Sequence, residues 1–201
     1  LSSAMRIGIA QGESMAELNA QGIEHDWYLV TVKPDISSCE WSELQSSQEG
    51  VLLSNSMYEG FVSITAMHDH SSPELRERLA NLSNLSFMFE LVTIFAWVAI
   101  LVLVGLIINS LRKSIRDNQI IDSRNILKMR LIGIMIIIDQ VAEAVIIVVG
   151  HRMLSIASGG ELIMQGFPIE YGQIVLGLLI IFTAEVFALG ARLSEEQKLT
   201  I

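Results

Sequence analysis

The chain has 201 residues, of which 51% are hydrophobic and 17% charged, and its formal net charge is -9 at pH 7. Its mean hydropathy of +0.50 excludes an ordinary soluble domain for about half of the sequence. The acidic balance argues against direct nucleic-acid binding, which needs a basic face. The single cysteine, Cys39, excludes an internal disulfide framework and a zinc cluster of several cysteines.

The first part of the chain, residues 1–72, alternates short apolar runs with polar turns and predicts a small β-rich exterior segment. Strand candidates are 27–32, 51–53 and 60–67, and the turns between them are marked by Gly22, Pro34, Gly50 and Gly60. Residues 1–30 contain no signal peptide, which would need a basic start and an apolar run. We therefore expect a further span or a signal to precede Leu1, the alternative being a chain trimmed at that point.

The remainder, 73–201, predicts a mainly α, transmembrane helical bundle. Ser72, Pro73 and Glu74 have the order of a helix start, and the helix is expected to run unbroken into the first span. Asp122 or Ser123 is the expected cap of the next helix, and Pro168 excludes a regular helix through the second loop. Stretches long and apolar enough to cross a bilayer are 87–109, 131–150 and 171–190. Three buried helices of a soluble bundle are the alternative, but 98–108 lacks the polar stripe that such a helix needs.

The orientation follows from the positive charges of the two loops. Loop 111–130 carries six Lys or Arg residues, whereas loop 151–170 carries only Arg152. Because short cytoplasmic loops are enriched in Lys and Arg, we predict that 111–130 and the tail 191–201 are cytoplasmic. Residues 1–86 and 151–170 are then outside the cell membrane.

Three polar residues, Asp139, Gln140 and Glu143, occupy the middle of the second predicted span. Asp139 and Glu143 are four apart and share a helix face, and two ionised acids at bilayer depth are costly. They indicate either a proton or cation site or, as we favour, neutral hydrogen bonding between helices. Glu185, near the end of the third span, is expected to pair with Arg192 at the interface.

Other candidate chemistry is sparse. His68 and His70, two apart beside Asp69, are a weak candidate for a metal site, and a polar turn explains them as well. Zinc-protease, nucleophile-elbow and phosphate-loop motifs are absent, so we predict a protein that is not an enzyme and needs no cofactor. The basic residues of 111–130 could bind anionic lipid, or serve only as the topology signal.

Two segments of the helical part carry short motifs. The second span opens with Asn125-Ile-Leu-Lys-Met-Arg-Leu-Ile-Gly133, and Glu185 begins a segment that closes the chain at Leu199-Thr200-Ile201. Together these motifs resemble the DUF2975 family of small prokaryotic membrane proteins of unknown function. The resemblance covers about 87–201 and implies four spans, with an exterior segment after the first. Lys198 departs from the acid expected there. The motif positions are Asn125, Arg130, Gly133, Glu185, Phe187, Gly190, Leu193, Glu196, Leu199, Thr200 and Ile201.

The resemblance also implies a role. Family members are often encoded beside a small Cro/C1-type DNA-binding regulator, which points to a regulatory or sensory partner of that regulator. The alternative is a small proton- or cation-coupled transporter that uses Asp139 and Glu143. In the predicted tail, Gly190 is expected to end the third helix or to let backbones approach, and Arg192 and Glu196 can pair.

Overall fold

The computed structural model describes residues 16–32, 49–55, 61–116, 123–160 and 168–199. Residues 16–20 form a short helical turn. The strands are β1 (His25–Thr31), β2 (Val51–Asn55) and β3 (Phe61–Met67), and the long helices are α1 (Pro73–Arg116), α2 (Ser123–Ala157) and α3 (Tyr171–Leu199). The predicted mainly α class with a small β segment is confirmed. Cys39, Pro34, Gly60 and Asp122 lie outside the described residues.

The chain divides into two compact units. The sheet unit is Leu1–Met88 with Val145–Pro168, and the helical unit is Phe89–Ala144 with Ile169–Ile201. Both α1 and α2 therefore contribute residues to each unit.

In the sheet unit the three strands form an antiparallel sheet in the order β1-β3-β2. His25 lies opposite Met67, and Val51 lies opposite Ala66. The edge strand β1 alternates, with Tyr28 and Val30 buried and Leu29 exposed, as expected for one covered face. The central strand β3 is buried throughout from Val62 to Ala66. The sheet confirms the three predicted strands.

The core of the sheet unit joins the sheet to the start of α1 and the end of α2. Leu79 of α1 and Ile64 of β3 have no exposed surface. The α2 residues of this core are Val149, Met153, Leu154 and Ala157. Burying side chains of this size contributes about 1.5–3 kcal/mol each, so this cluster is the main stabilising contact of the unit.

Gly150 brings α2 against the sheet. A Cβ atom at this position would clash with the carbonyl oxygen of Thr31 in β1. The sequence predicted that the second span ends at Gly150, but α2 continues to Ala157. The glycine is therefore a contact point inside the helix, because only a residue without Cβ allows this approach of the β1 backbone.

The predicted start of α1 is confirmed. The helix begins at Pro73, and the backbone N–H of Leu75 donates a hydrogen bond to Ser72 Oγ at 3.3 Å. The helix then runs unbroken for 44 residues into the first span. The predicted turns at Gly22 and Gly50 are also present, with φ of 71° and 78°, which side chains with Cβ rarely adopt.

In the part of the chain that the structure describes, three helices are long and apolar enough to cross a membrane. The most apolar windows of α1, α2 and α3 have mean hydropathies of 3.0, 2.4 and 2.4. Half of the α2 window is buried, against 11% for α1 and for α3. Phe95, Leu101 and Phe182 are more than 60% exposed, an apolar surface that fits helices of a membrane protein.

Candidate functional site

The polar residues predicted in the middle of the second span lie in α2, within the helical unit. Asp139 is 4% exposed and Gln140 is fully buried. Glu143 is exposed, although it lies one turn after Asp139. The structure therefore brings Asp139 and Gln140 into the protein interior and leaves Glu143 outside it, so the shared face that the spacing predicted does not give the two acids one environment.

The Asp139 carboxyl faces α1. The side chains of Thr93 and Trp97, which are four apart and so on one face of α1, lie close enough to hydrogen-bond to it. These contacts do not satisfy every polar atom. Asp139 Oδ1 and Thr93 Oγ1 have no hydrogen-bond partner of full geometry among the described residues. The amide nitrogen and oxygen of Gln140 have none either. Buried polar atoms are normally paired, so this cluster is the most unusual polar feature of the helical unit.

An ion pair joins α2 and α3. Arg130 Nη2 donates a hydrogen bond of 2.8 Å to Glu185 Oε2, and Arg130 Nε lies 2.8 Å from Glu185 Oε1, although its N–H is not well aligned. The sequence predicted an interfacial ion pair for Glu185 but assigned Arg192 as its partner, and that assignment is wrong. Arg192 lies on the same helix as Glu185, whereas Arg130 reaches it from the neighbouring helix with two nitrogens.

The motif glycine Gly133 lies where α2 crosses α3. A Cβ atom on Gly133 would lie 2.6 Å from the carbonyl oxygen of Gly177, and one on Gly177 would lie 2.8 Å from the carbonyl oxygen of Gly133. The two backbones thus approach through a reciprocal pair of glycines, as small residues allow in membrane helices. Gly177 was not predicted as a site residue, although a glycine inside an apolar span is the signal that could have found it.

Asn125, at the start of the first motif, is buried and joins α1 to α2. Its Nδ2 donates a hydrogen bond to Ser110 Oγ at 2.9 Å, and Lys128 Nζ donates to its Oδ1 at 3.2 Å. Arg130 and Asn125 are five residues apart in α2. The end of α1, the start of α2 and the second half of α3 therefore meet at one end of the helical unit, which we call the motif end.

The helix α3 continues through the predicted tail to Leu199. Gly190 does not end it, and a Cβ atom there would meet nothing within 4 Å, so neither role predicted for Gly190 describes it. Phe187 is 39% exposed and Leu193 60% exposed, and Arg192 and Glu196 are also exposed. Thr200, Ile201 and the side chain of Leu199 lie outside the described residues.

The weak metal candidates lie in the sheet unit. The His68 ring faces two carboxylates, with Nδ1 3.3 Å from Glu24 Oε2 and Nε2 3.1 Å from Asp26 Oδ2, contacts that are ionic when the imidazole is protonated. His70 is exposed in the following turn. No group of three or more His, Cys, Asp or Glu residues within the described ranges could hold a metal ion.

A sequence match to a family profile identifies the family of this chain. The sequence profile of the family described as "Protein of unknown function (DUF2975)" matches residues 28–201. The chain belongs to the DUF2975 family. Because the match begins at Tyr28 in β1, the family region includes the sheet, whereas the motif resemblance extended back only to residue 87. Neither the curated proteins nor the solved structures compared with this DUF2975 chain give a match.

Proposed function

We propose that this DUF2975 protein is a non-enzymatic protein of the bacterial inner membrane that acts as a regulatory or sensory partner of a small cytoplasmic Cro/C1-type DNA-binding regulator. The observation that carries the proposal is the motif end: Asn125 and Arg130 of one family motif meet α1 and α3 there, and Arg130 pairs with Glu185 of the other motif. Residues of the two motifs, far apart in the sequence, are thus close together in space at the end of the unit where the exposed last part of α3 begins.

In the proposed orientation residues 111–130 and 191–201 are cytoplasmic, and residues 1–86 and 151–170 are outside. The excess of Lys and Arg in 111–130 over 151–170 supports this orientation. An impermeant thiol reagent should label native Cys39 in intact cells. In a Cys39→Ser background, Ser114→Cys should react only after the membrane is opened. Labelling of position 114 in intact cells would reverse the orientation.

The partner would dock on the end of α3. Leu193 is 60% exposed at the last position of the candidate span Tyr171–Leu193, and Arg112 and Arg124 are exposed on α1 and α2. Burying a leucine contributes about 1.5–3 kcal/mol, whereas an exposed ion pair contributes about 0–1 kcal/mol. The apolar residues should therefore decide affinity, and the basic ones should favour a partner with an acidic rim.

A co-purification experiment tests the proposal. The protein is purified from native membranes together with any DNA-binding regulator encoded beside it, and the retained regulator is quantified. We expect Leu193→Ala, and separately deletion of 199–201, to lower retention several-fold, because apolar contact is lost. Leu178→Ala is the matched control, since Leu178 is 54% exposed in the apolar part of α3. Equal retention by all variants at unchanged thermal stability would overturn the docking proposal.

The buried polar cluster favours a second candidate function, a small proton- or cation-coupled transporter. Its support is that Asp139 and Gln140 hold unpartnered polar atoms inside apolar helices. Purified protein in liposomes that contain a pH dye should then collapse an imposed gradient faster than empty liposomes do. Asp139→Asn should abolish the difference, and a rate equal to that of empty liposomes would exclude proton transport.

A further inference from the structure

The Asp139 carboxyl lies far from the basic residues of the long helices. Residues 91–108 of α1 and 171–184 of α3 contain no charged side chain. Within α2 the nearest basic residue along the chain is Arg130, nine residues before Asp139 and so about 13 Å away along the helix axis, and its guanidinium already faces Glu185. Among the described residues, the carboxyl therefore has no arginine or lysine partner that would favour its ionised form.

The groups that do face the carboxyl are neutral. The Thr93 hydroxyl and the Trp97 indole N–H both approach it from α1. These donors can stabilise a carboxylate, and the threonine oxygen can also accept a hydrogen bond from a protonated carboxyl. Neutral donors stabilise the carboxylate without the strong bias towards ionisation that a bound arginine gives, and without the strong bias towards the protonated acid that hydrocarbon alone gives.

Among the described residues, two polar atoms at the contact between α1 and α2 lack a hydrogen-bond partner of full geometry. They are Asp139 Oδ1 and Thr93 Oγ1. Gln140 directly follows Asp139 in α2, and successive residues of a helix do not face each other, so its buried amide is a separate polar group. A carboxyl oxygen and a hydroxyl within hydrogen-bonding reach of each other, both without full partners, form a site for a small hydrogen-bonding species, because each unpaired buried group costs about 1–3 kcal/mol.

We propose that Asp139 is a reversible proton-binding site of the helical unit, formed with Thr93 and Trp97 and without Glu143. In the binding step a carboxylate oxygen of Asp139 accepts a proton from hydronium, an O–H bond forms, and water is released. The inference rests on the site of the transport candidate and deepens it. The experiment measures proton binding without transport, so a proton-binding site can be confirmed even if the liposome assay shows no proton transport.

The other titratable groups near the site are two acids. Glu90 on α1 is three residues before Thr93, and Glu143 on α2 is four after Asp139. Both are exposed. In α3 the first charged residue after the uncharged stretch 171–184 is Glu185, and it pairs with Arg130. Glu90→Gln and Glu143→Gln are therefore the matched controls for removal of a carboxyl outside the site.

Trp97 provides a local optical reporter. The chain has three tryptophans, so Trp27→Phe with Trp41→Phe leaves Trp97 as the single emitter. The full chain with these changes is reconstituted in phospholipid nanodiscs, and Trp97 emission is recorded from about pH 4 to about pH 10, a range that spans ordinary and strongly shifted carboxyl titrations. Infrared difference spectra over the same range record the C=O stretch of protonated carboxyls.

We expect a single pH transition of Trp97 emission, together with an infrared band of a protonated carboxyl in apolar surroundings. Asp139→Asn should lose both signals, whereas Glu90→Gln and Glu143→Gln should keep them. Asp139→Glu should restore a transition, and Thr93→Val should move the midpoint to higher pH because the carboxylate loses a donor. The last two variants decide the matter if Asp139→Asn does not fold. A flat response of the parent protein, or a transition that persists in Asp139→Asn, would overturn the proposal.

Discussion

Replacing Gly133 by alanine should weaken the contact between α2 and α3 without changing any polar group. The added Cβ would lie 2.6 Å from the Gly177 carbonyl oxygen and 2.6 Å from Ile181 Cγ1. Close carbon-to-oxygen contacts in proteins are about 3.3 Å or longer, so the backbone contact alone is about 0.7 Å too short. The helices must separate, because a backbone carbonyl cannot rotate away as a side chain can.

The expected loss is about 1–3 kcal/mol, the usual cost of an inserted methyl group in a packed interior. Alanine also favours a helix over glycine by up to about 1 kcal/mol, which offsets part of this cost. Gly190→Ala is the matched control, since Gly190 is also inside α3 and its Cβ would meet nothing within 4 Å. We expect Gly190→Ala to be neutral or stabilising.

Thermal unfolding in detergent, followed by the fraction that remains monodisperse, measures the difference. For a chain of this size, 1 kcal/mol corresponds to about 2–4 °C in Tm. Adding Ile181→Ala to Gly133→Ala removes the side-chain clash but leaves the backbone clash, so the double variant should not recover. If Gly133→Ala were as stable as Gly190→Ala, or if Ile181→Ala restored it fully, the close backbone crossing would be refuted.

Three further predictions concern other contacts. Gly150→Ala should expose the sheet unit to faster limited proteolysis, because the added Cβ would clash with the Thr31 carbonyl oxygen. Gly172→Ala is the control, since a Cβ there meets nothing within 4 Å, and equal cleavage rates would contradict the contact. Glu185→Gln and Arg130→Gln should each lower Tm, and their effects should be non-additive in a double-mutant cycle, with a coupling energy of about 0.5–1 kcal/mol or more. Arg192→Gln is the control and should show no coupling to Glu185→Gln. Coupling of Glu185 to Arg192 alone would support the pair predicted from the sequence. Ser72→Ala should destabilise the start of α1 by about 1 kcal/mol, read as faster amide exchange at Leu75, and unchanged exchange would show that the cap is dispensable.

The sequence alone determined the elements of this protein. Hydropathy located all three long helices, because crossing a bilayer requires an unbroken apolar run whatever the helix packs against. Local chemistry located the start of α1 at Ser72-Pro73 and the turns at Gly22 and Gly50, since caps and left-handed residues act over a few positions. Two short motifs also identified the family that the match over 28–201 confirms.

Only the tertiary structure decided which residues meet. Spacing placed Asp139 and Glu143 on one face, but Asp139 is buried and Glu143 is exposed, because burial depends on which neighbouring elements cover each position. Glu185 pairs with Arg130 on a neighbouring helix, 55 residues away along the chain, and not with Arg192, which is seven residues further along α3. Gly133 and Gly150 allow close approach only because Gly177 and Thr31 lie opposite them. Sequence periodicity specifies the direction of a side chain from its own helix, whereas the partner in that direction is set by how separate helices and strands pack.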